Sequence, residues 1–240
     1  MIKKYIPDFI TSLNIVCGIV GVVFAFKGRC DIAMYLMIAA AVFDFFDGFA
    51  ARALGAYSDL GKELDSLCDD VSFGVLPAVM LYTTAKACMM GENAFCYLPL
   101  LIAVFSALRL AKFNVDTRQT ASFIGLPTPA CALLVAALCY YVAYDSTCFL
   151  AMWMASPLFI TILTVVLCFL LVCEIPMFSM KFHKDDSSVL KGKRMAFGFK
   201  ILAAVLVCVI CKLHWSLAVL LTFTCYILVN VLYWIFKIED

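Results

Sequence analysis

Two acids, Asp44 and Asp47, lie inside a run from Ala39 to Ala53 that otherwise reads as a membrane helix. A carboxylate is costly within a bilayer span, so a functional site is the first explanation for one found there. The pair opens a wider cluster. Seven of the 17 Asp and Glu residues fall between positions 44 and 70: Asp44, Asp47, Asp59, Glu63, Asp65, Asp69 and Asp70. Salt bridging between helices is the plain alternative, but only Arg52 and Lys62 stand near in sequence, too few to neutralise seven acids. Asp44 and Asp47 are three residues apart and Asp65 and Asp69 four, so each pair shares one helix face. Gly48, Gly55 and Gly61, with the polar Tyr57-Ser58-Asp59, can turn the chain between them. Two helices joined by such a turn would bring four carboxylates together, which repel one another unless a cation sits among them. All-oxygen ligation selects hard divalent ions, Mg²⁺, Mn²⁺ or Ca²⁺, over zinc. Such ions beside glycine and an arginine suit a pyrophosphate: metal neutralises its oxygens, glycine admits the backbone, and guanidinium grips the anion. A carboxylate pair for glycoside hydrolysis is another option, but it leaves two acids and Arg52 without a task. A divalent-cation transporter is a third, disfavoured because the acids lie near one membrane face and not at the midplane. The residues alone therefore point to a membrane enzyme for metal-dependent phosphoryl transfer.

The elements that must position these acids are membrane helices. Of the 240 residues 65% are hydrophobic and 15% charged, and the mean hydropathy is +1.03. Ordinary soluble domains are near half apolar and a quarter charged. A net charge of +1 offers no field to hold a nucleic acid. The composition also excludes disorder and a secreted disulfide scaffold, and the 13 cysteines, scattered through apolar runs, read as packing residues. Runs of about 20 apolar residues predict spans near 9–26, 32–53, 66–85, 95–113, 127–144, 149–173, 197–212 and 215–236. The expectation is an all-α, polytopic transmembrane bundle of about eight spans, one integral-membrane domain over 1–240, with a cytoplasmic loop at about 178–196. With both termini on one side, that side receives fourteen of the 18 basic residues and the other only Lys27, Arg29, Lys86 and Lys212. The positive-inside rule then places the termini and the acid cluster in the cytoplasm. The first segment reads as a span and not a signal peptide, because Asp8, Asn14 and glycines interrupt it and no small-x-small pattern precedes Lys27.

From Asp44 the chain reads DFFDGFAARALGAYSDLGKELDSLCD. This resembles the D-x2-D-G-x2-A-R-x8-G-x3-D-x3-D signature of the CDP-alcohol phosphotransferases, matching it at Asp44, Asp47, Gly48, Ala51, Arg52, Gly61, Asp65 and Asp69. The resemblance implies that Asp44, Asp47, Asp65 and Asp69 hold two divalent ions, Mg²⁺ or Mn²⁺, with Asp69 also the general base. It implies that Gly48, Arg52, Ser58 and Gly61 meet the CDP-linked donor. Pro7-Asp8 stands where the family commonly has Pro-Asn, so Thr11 and Asn14 are taken as the donor contacts from the first helix. The segments DSLCDDVSFGVLPA (65–78), LRLAKFN (108–114), FIGLPTPA (123–130) and the opening IPDFITSLNIVCG are similar to the phosphatidylserine synthases of that family. They imply transfer of the phosphatidyl group of CDP-diacylglycerol to L-serine in an inner-membrane protein that pairs as a homodimer. Other acceptors within the family, glycerol 3-phosphate, inositol phosphate or choline and ethanolamine, are the nearest alternative.

Serine carries a carboxylate and an ammonium, so its pocket needs a cation and an acceptor. Arg109, Lys112, Asn114 and Lys181 are the candidates, Lys112 standing where the family usually has Arg. The C-x2-C of Cys208 and Cys211 near His214 reads as packing, His183 to Asp186 as a solvated loop, and Phe45 and Phe46 as lipid-facing or packing residues. Gly18 and Gly21 permit close helix approach.

Overall fold

The computed structural model describes residues 5–56, 58–91, 93–116, 122–178 and 214–236, and it is helical almost throughout. Helix α1 is Tyr5–Phe26 and α2 is Cys30–Leu54. Then come α3 (Asp59–Asp69), a π-helical turn (Asp70–Val75) and α4 (Leu76–Cys88), which run on as one helical path from Asp59 to Cys88. A 3₁₀ segment, Ala94–Leu100, leads into α5 (Leu101–Val115). Beyond it lie strand β1 (Ser122–Ile124), α6 (Thr128–Tyr144), α7 (Phe149–Met154), α8 (Pro157–Val172), strand β2 (Pro176–Phe178) and α9 (Trp215–Ile235).

Among the described residues, five helical paths are long and apolar enough to cross a membrane: Tyr5–Phe26, Cys30–Leu54, Asp59–Cys88, Ala94–Val115 and Trp215–Ile235. Two shorter apolar helices, Thr128–Tyr144 and Pro157–Val172, accompany them. These coincide with seven of the eight expected spans; the eighth, 197–212, lies outside the described residues. Two boundaries differ from the sequence reading. The span expected at 149–173 breaks at Pro157, which begins α8 at a position that needs no backbone donor. The span expected at 66–85 starts earlier, so Asp65 and Asp69 belong to the same helical path as the apolar α4.

The central helices are those buried on every side. Helix α6 has eleven buried residues, among them Ala132, Ala136, Ala137 and Cys139, and α4 is similarly enclosed. Small residues allow this close packing where no hydrophobic force separates protein from lipid. The surrounding helices expose bulky apolar faces instead: Phe9, Ile19 and Val23 on α1, Ile162, Val165 and Phe169 on α8, and Phe45 and Phe46 on α2. His214 caps α9 by accepting from the Ser216 N–H at 3.4 Å, and partial burial lowers its pKa, which favours the neutral form able to accept.

Helix α1 buries Pro7, Thr11, Asn14, Gly18, Gly21 and Ala25, a stripe of small and polar residues at three- and four-residue spacing. A Cβ on Gly18 would collide with Ser72 Oγ and come within 3.0 Å of Ser72 Cα; one on Gly21 would meet Leu76 Cδ2 at 2.7 Å. The two glycines thus bring α1 against the π turn and the start of α4, the close helix approach their place in the sequence suggested. Gly18→Ala should destabilise the fold by about 1–3 kcal/mol, the usual cost of overpacking. Thermal unfolding in detergent would show it as a lowered midpoint.

At the other end of α6, β1 and β2 pair antiparallel with Phe123 opposite Met177. The Leu126 N–H donates to the Leu170 carbonyl at 2.8 Å, satisfying a terminal carbonyl of α8. Gly125, at φ +77°, sits where a Cβ would meet the Cys173 and Leu171 carbonyls at 2.8 and 2.9 Å. Two segments remote in sequence, 123–130 and 175–178, therefore meet as one local structure.

Candidate active site

Helix α2 ends in a left-handed Gly55 (φ +60°), with the Ala56 N–H on the Ala51 carbonyl at 3.0 Å and the Gly55 N–H on Arg52. Three residues on, Ser58 begins α3 as its N-cap, its Oγ accepting from the Gly61 N–H at 3.0 Å. This turn lays the start of α3 beside the end of α2. Asp44, Asp47 and Asp65 consequently converge, each offering an oxygen within 4.8 Å of the others'. Asp69, one turn beyond Asp65, is close enough for its charge to interact with all three.

The first helix braces this cluster. Thr11 Oγ1 donates to Asp47 Oδ2 at 2.6 Å while also reaching the Pro7 carbonyl at 3.0 Å. Asn14 Nδ2 donates to Asp69 Oδ1 at 3.1 Å, and the Asn14 carbonyl accepts from Ser72 Oγ at 3.1 Å. Thr11 and Asn14, expected as donor contacts, thus have their side chains on the carboxylates in this structure. Both are almost fully buried, and their bonds set the rotamers of Asp47 and Asp69.

The donor set fits a hard divalent cation. It is all oxygen, its spread is one that oxygens at about 2.0–2.6 Å from a common ion can close upon, and Asp65 Oδ1 is buried with no hydrogen-bond partner. An uncompensated oxygen of this kind is expensive unless a cation or donor faces it.

A cavity of about 200 Å³ opens on the cluster, lined by Asp47, Asp65, Gly48, Ser58, Gly61 and Lys62, with Pro7, Asp8 and Thr11 from α1. Gly48, Ser58 and Gly61 were expected to meet the donor, and all three line this space. Arg52 is exposed one turn beyond Gly48, its Nη1 3.6 Å from where a Gly48 Cβ would stand. Asp8, set aside in the sequence reading, also borders the cavity, its Oδ1 3.0 Å from a Cβ built at Gly61.

The four acceptor candidates separate. Arg109 is 7% exposed, donates from Nη1 to Thr128 Oγ1 at 3.0 Å, lies over the Phe113 ring, and interacts electrostatically with Asp69. Lys112 pairs with Glu174 at 3.3 Å at the surface. Asn114 donates to Ser66 Oγ at 2.8 Å, and its carbonyl accepts from Lys62 at 3.3 Å. Only Arg109 of the described three adjoins the carboxylates; Lys181 lies outside the described residues. Sequence reasoning passed over Ser72, whose hydroxyl donates to the Asn14 carbonyl, and the meeting of Asp70 and Ser106 at Gly74.

Comparison with known proteins identifies the family. The family model described as CDP-alcohol phosphatidyltransferase matches residues 4–169, which contain every acid of the cluster. A Bacillus subtilis protein named CDP-diacylglycerol–serine O-phosphatidyltransferase is 37% identical over 126 residues, 52% of this chain and 70% of that one. A Mycobacterium leprae protein of the same name is 35% identical over 232 residues, covering 93% of this chain and 73% of its own. One from Methanocaldococcus jannaschii is 37% identical over 134 residues, 56% of this chain and 60% of that protein. With apolar helices of membrane-spanning length around a braced acidic cluster, this chain is an integral membrane protein and belongs to the CDP-alcohol phosphatidyltransferase family.

Proposed function

We propose that the protein transfers the phosphatidyl group of CDP-diacylglycerol to the hydroxyl of L-serine, giving phosphatidylserine and CMP. The observation that carries this reading is the convergence of Asp44, Asp47 and Asp65 on one cavity, with Asp69 held beside them by Asn14. The names of the relatives supply the acceptor. Asp44, Asp47, Asp65 and Asp69 would hold Mg²⁺ or Mn²⁺, which when bound neutralises pyrophosphate charge and makes the phosphorus more electrophilic.

Each residue of the site then has a task. Gly48, Ser58 and Gly61 shape the cavity for the nucleotide end of the donor, and Arg52 at its rim offers guanidinium to the phosphates. Thr11 and Asn14 fix the carboxylates that must act on it. Asp69 accepts the proton of the serine hydroxyl as that oxygen forms its bond to phosphorus, and the bond from phosphorus to the CMP oxygen breaks in line. Position at the membrane surface lets the diphosphate enter while the acyl chains stay in lipid. The charge bias of the loops supports a cytoplasmic site and termini in a multi-pass inner-membrane protein. A single domain over 1–240 and a homodimer formed through the spans complete the proposal.

Purified protein given CDP-diacylglycerol, Mn²⁺ and one alcohol at a time should release CMP with L-serine alone. Release with glycerol 3-phosphate or inositol phosphate, but not serine, would replace the acceptor. Metal flux into sealed liposomes without any nucleotide would replace the enzyme with a transporter.

A further inference from the structure

Among the described residues, the cavity beside the acids is lined by three carboxylates, Asp8, Asp47 and Asp65, and by one cation, Lys62. Lys62 stands three residues before Asp65 on α3, a spacing that makes the two side chains neighbours on the helix surface. An ammonium so placed would ordinarily pair with an acid. Among the described residues Lys62 forms no salt bridge; its Nζ instead donates to the main-chain carbonyl of Asn114, on α5, at 3.3 Å. A ring of hydrogen bonds holds the two segments together. Asn114 Nδ2 donates to Ser66 Oγ at 2.8 Å, and Ser66 Oγ donates to the Lys62 carbonyl at 3.2 Å. The ammonium is thus parked on a neutral acceptor. That bond is exposed and long, and it uses one of three N–H donors. Its charge is left for an anion, and the flexible four-carbon stem lets Nζ turn into the cavity.

We infer that Lys62 binds the phosphate that stays with CMP, a contact at a position the eight-residue signature leaves open. The inference rests on the CDP-diacylglycerol reading above. Lys62 shares the cavity with Ser58 and Gly61, which border its nucleotide end, and with the metal-ligand acids Asp47 and Asp65. A diphosphate laid there would have Arg52 of α2 at one rim and Lys62 of α3 at the other. As the serine oxygen bonds to phosphorus, the bond from phosphorus to the CMP oxygen breaks and its electron pair stays on that oxygen. The serine proton passes to Asp69. The departing phosphate gains negative charge, and a cation already in place stabilises that charge as it forms. A nucleoside without a phosphate gains nothing from Lys62.

The test is equilibrium binding of CMP and of cytidine to the intact protein in detergent with Mg²⁺. Lys62→Gln keeps an N–H donor for the Asn114 carbonyl and removes the charge. It should weaken CMP binding about tenfold, the cost of a lost charge-assisted hydrogen bond, and leave cytidine within about twofold. Lys62→Arg should keep most of the CMP affinity. In the CMP-release assay the KM for CDP-diacylglycerol should rise in Lys62→Gln while that for serine stays within about twofold. A merely structural role, through the ring to α5, would weaken CMP and cytidine alike. If Lys62→Gln is not recovered folded, Lys62→Met, which keeps the apolar stem, must narrow the same gap between CMP and cytidine. Equal losses for the two ligands, or an unchanged CMP affinity in the folded variant, overturns the contact. Wild type that binds neither ligand and releases no CMP with serine overturns the reading of function instead, so the two failures are distinct.

Discussion

Asp69→Asn should all but abolish serine-dependent CMP release, with a loss of about a thousandfold, the middle of the range that general acid–base catalysis supplies. The substitution preserves shape and removes the negative charge, and with it both the capacity to accept a proton and a charged ligand for the metal. Asn14 Nδ2 now donates to Asp69 Oδ1 at 3.1 Å, and the carbonyl oxygen of an Asn side chain can receive that same bond. The fold should therefore persist, with the thermal midpoint in detergent at or above that of wild type, because a negative charge facing Asp44, Asp47 and Asp65 has gone. Asn14→Ala provides the contrast. It leaves the carboxylate chemically intact and frees its rotamer, so turnover should fall far less than in Asp69→Asn. Substantial residual turnover in Asp69→Asn, in protein that still unfolds cooperatively, would place the base elsewhere.

What the sequence disclosed and what it hid divide along the range of the interactions involved. The spans and the acids on them were legible because hydropathy and helical spacing are local. Gly18 and Gly21 were legible as approach points because small residues on a membrane helix have few other uses. The π turn was not. Spacing arguments assume an unbroken 3.6-residue period, whereas Asp70–Val75 departs from it where α1, α5 and the helix core press together. That departure carries Asp70 to α5, and no pattern within residues 65–76 announces it. Thr11 and Asn14 were recognised as site residues, but their partners lie 36 and 55 positions away, and only the packing of α1 reveals that they grip carboxylates. The break before α8 was hidden for a different reason: Ser156-Pro157 is a helix-start signal set in an apolar stretch long enough to pass for one span.

Asp65→Asn separates two roles that a cluster of acids always confounds. Without metal, Asp65 is a liability: it stands with Asp44 and Asp47 inside 4.8 Å, and one of its oxygens is buried with no donor. Like charges at that separation repel by about 3 kcal/mol even at an effective dielectric of about 20, and solvent and relaxation reduce this further. In EDTA the variant should therefore unfold at a higher temperature than wild type, by an amount corresponding to about 1 kcal/mol. With Mn²⁺ the order should reverse. A cation that binds only the folded state stabilises it by an amount that grows with concentration over its Kd, and loss of a ligand weakens that binding. Wild type should gain a large metal-dependent shift in midpoint, the variant a small one, and its CMP release should fall about a hundredfold or more at limiting Mn²⁺. The crossing of the two stability curves is what identifies a metal site, since a structural carboxylate would lose stability in both conditions. Equal Mn²⁺ shifts in variant and wild type would remove Asp65 from the ligand set, and with it the reason these three acids share one space.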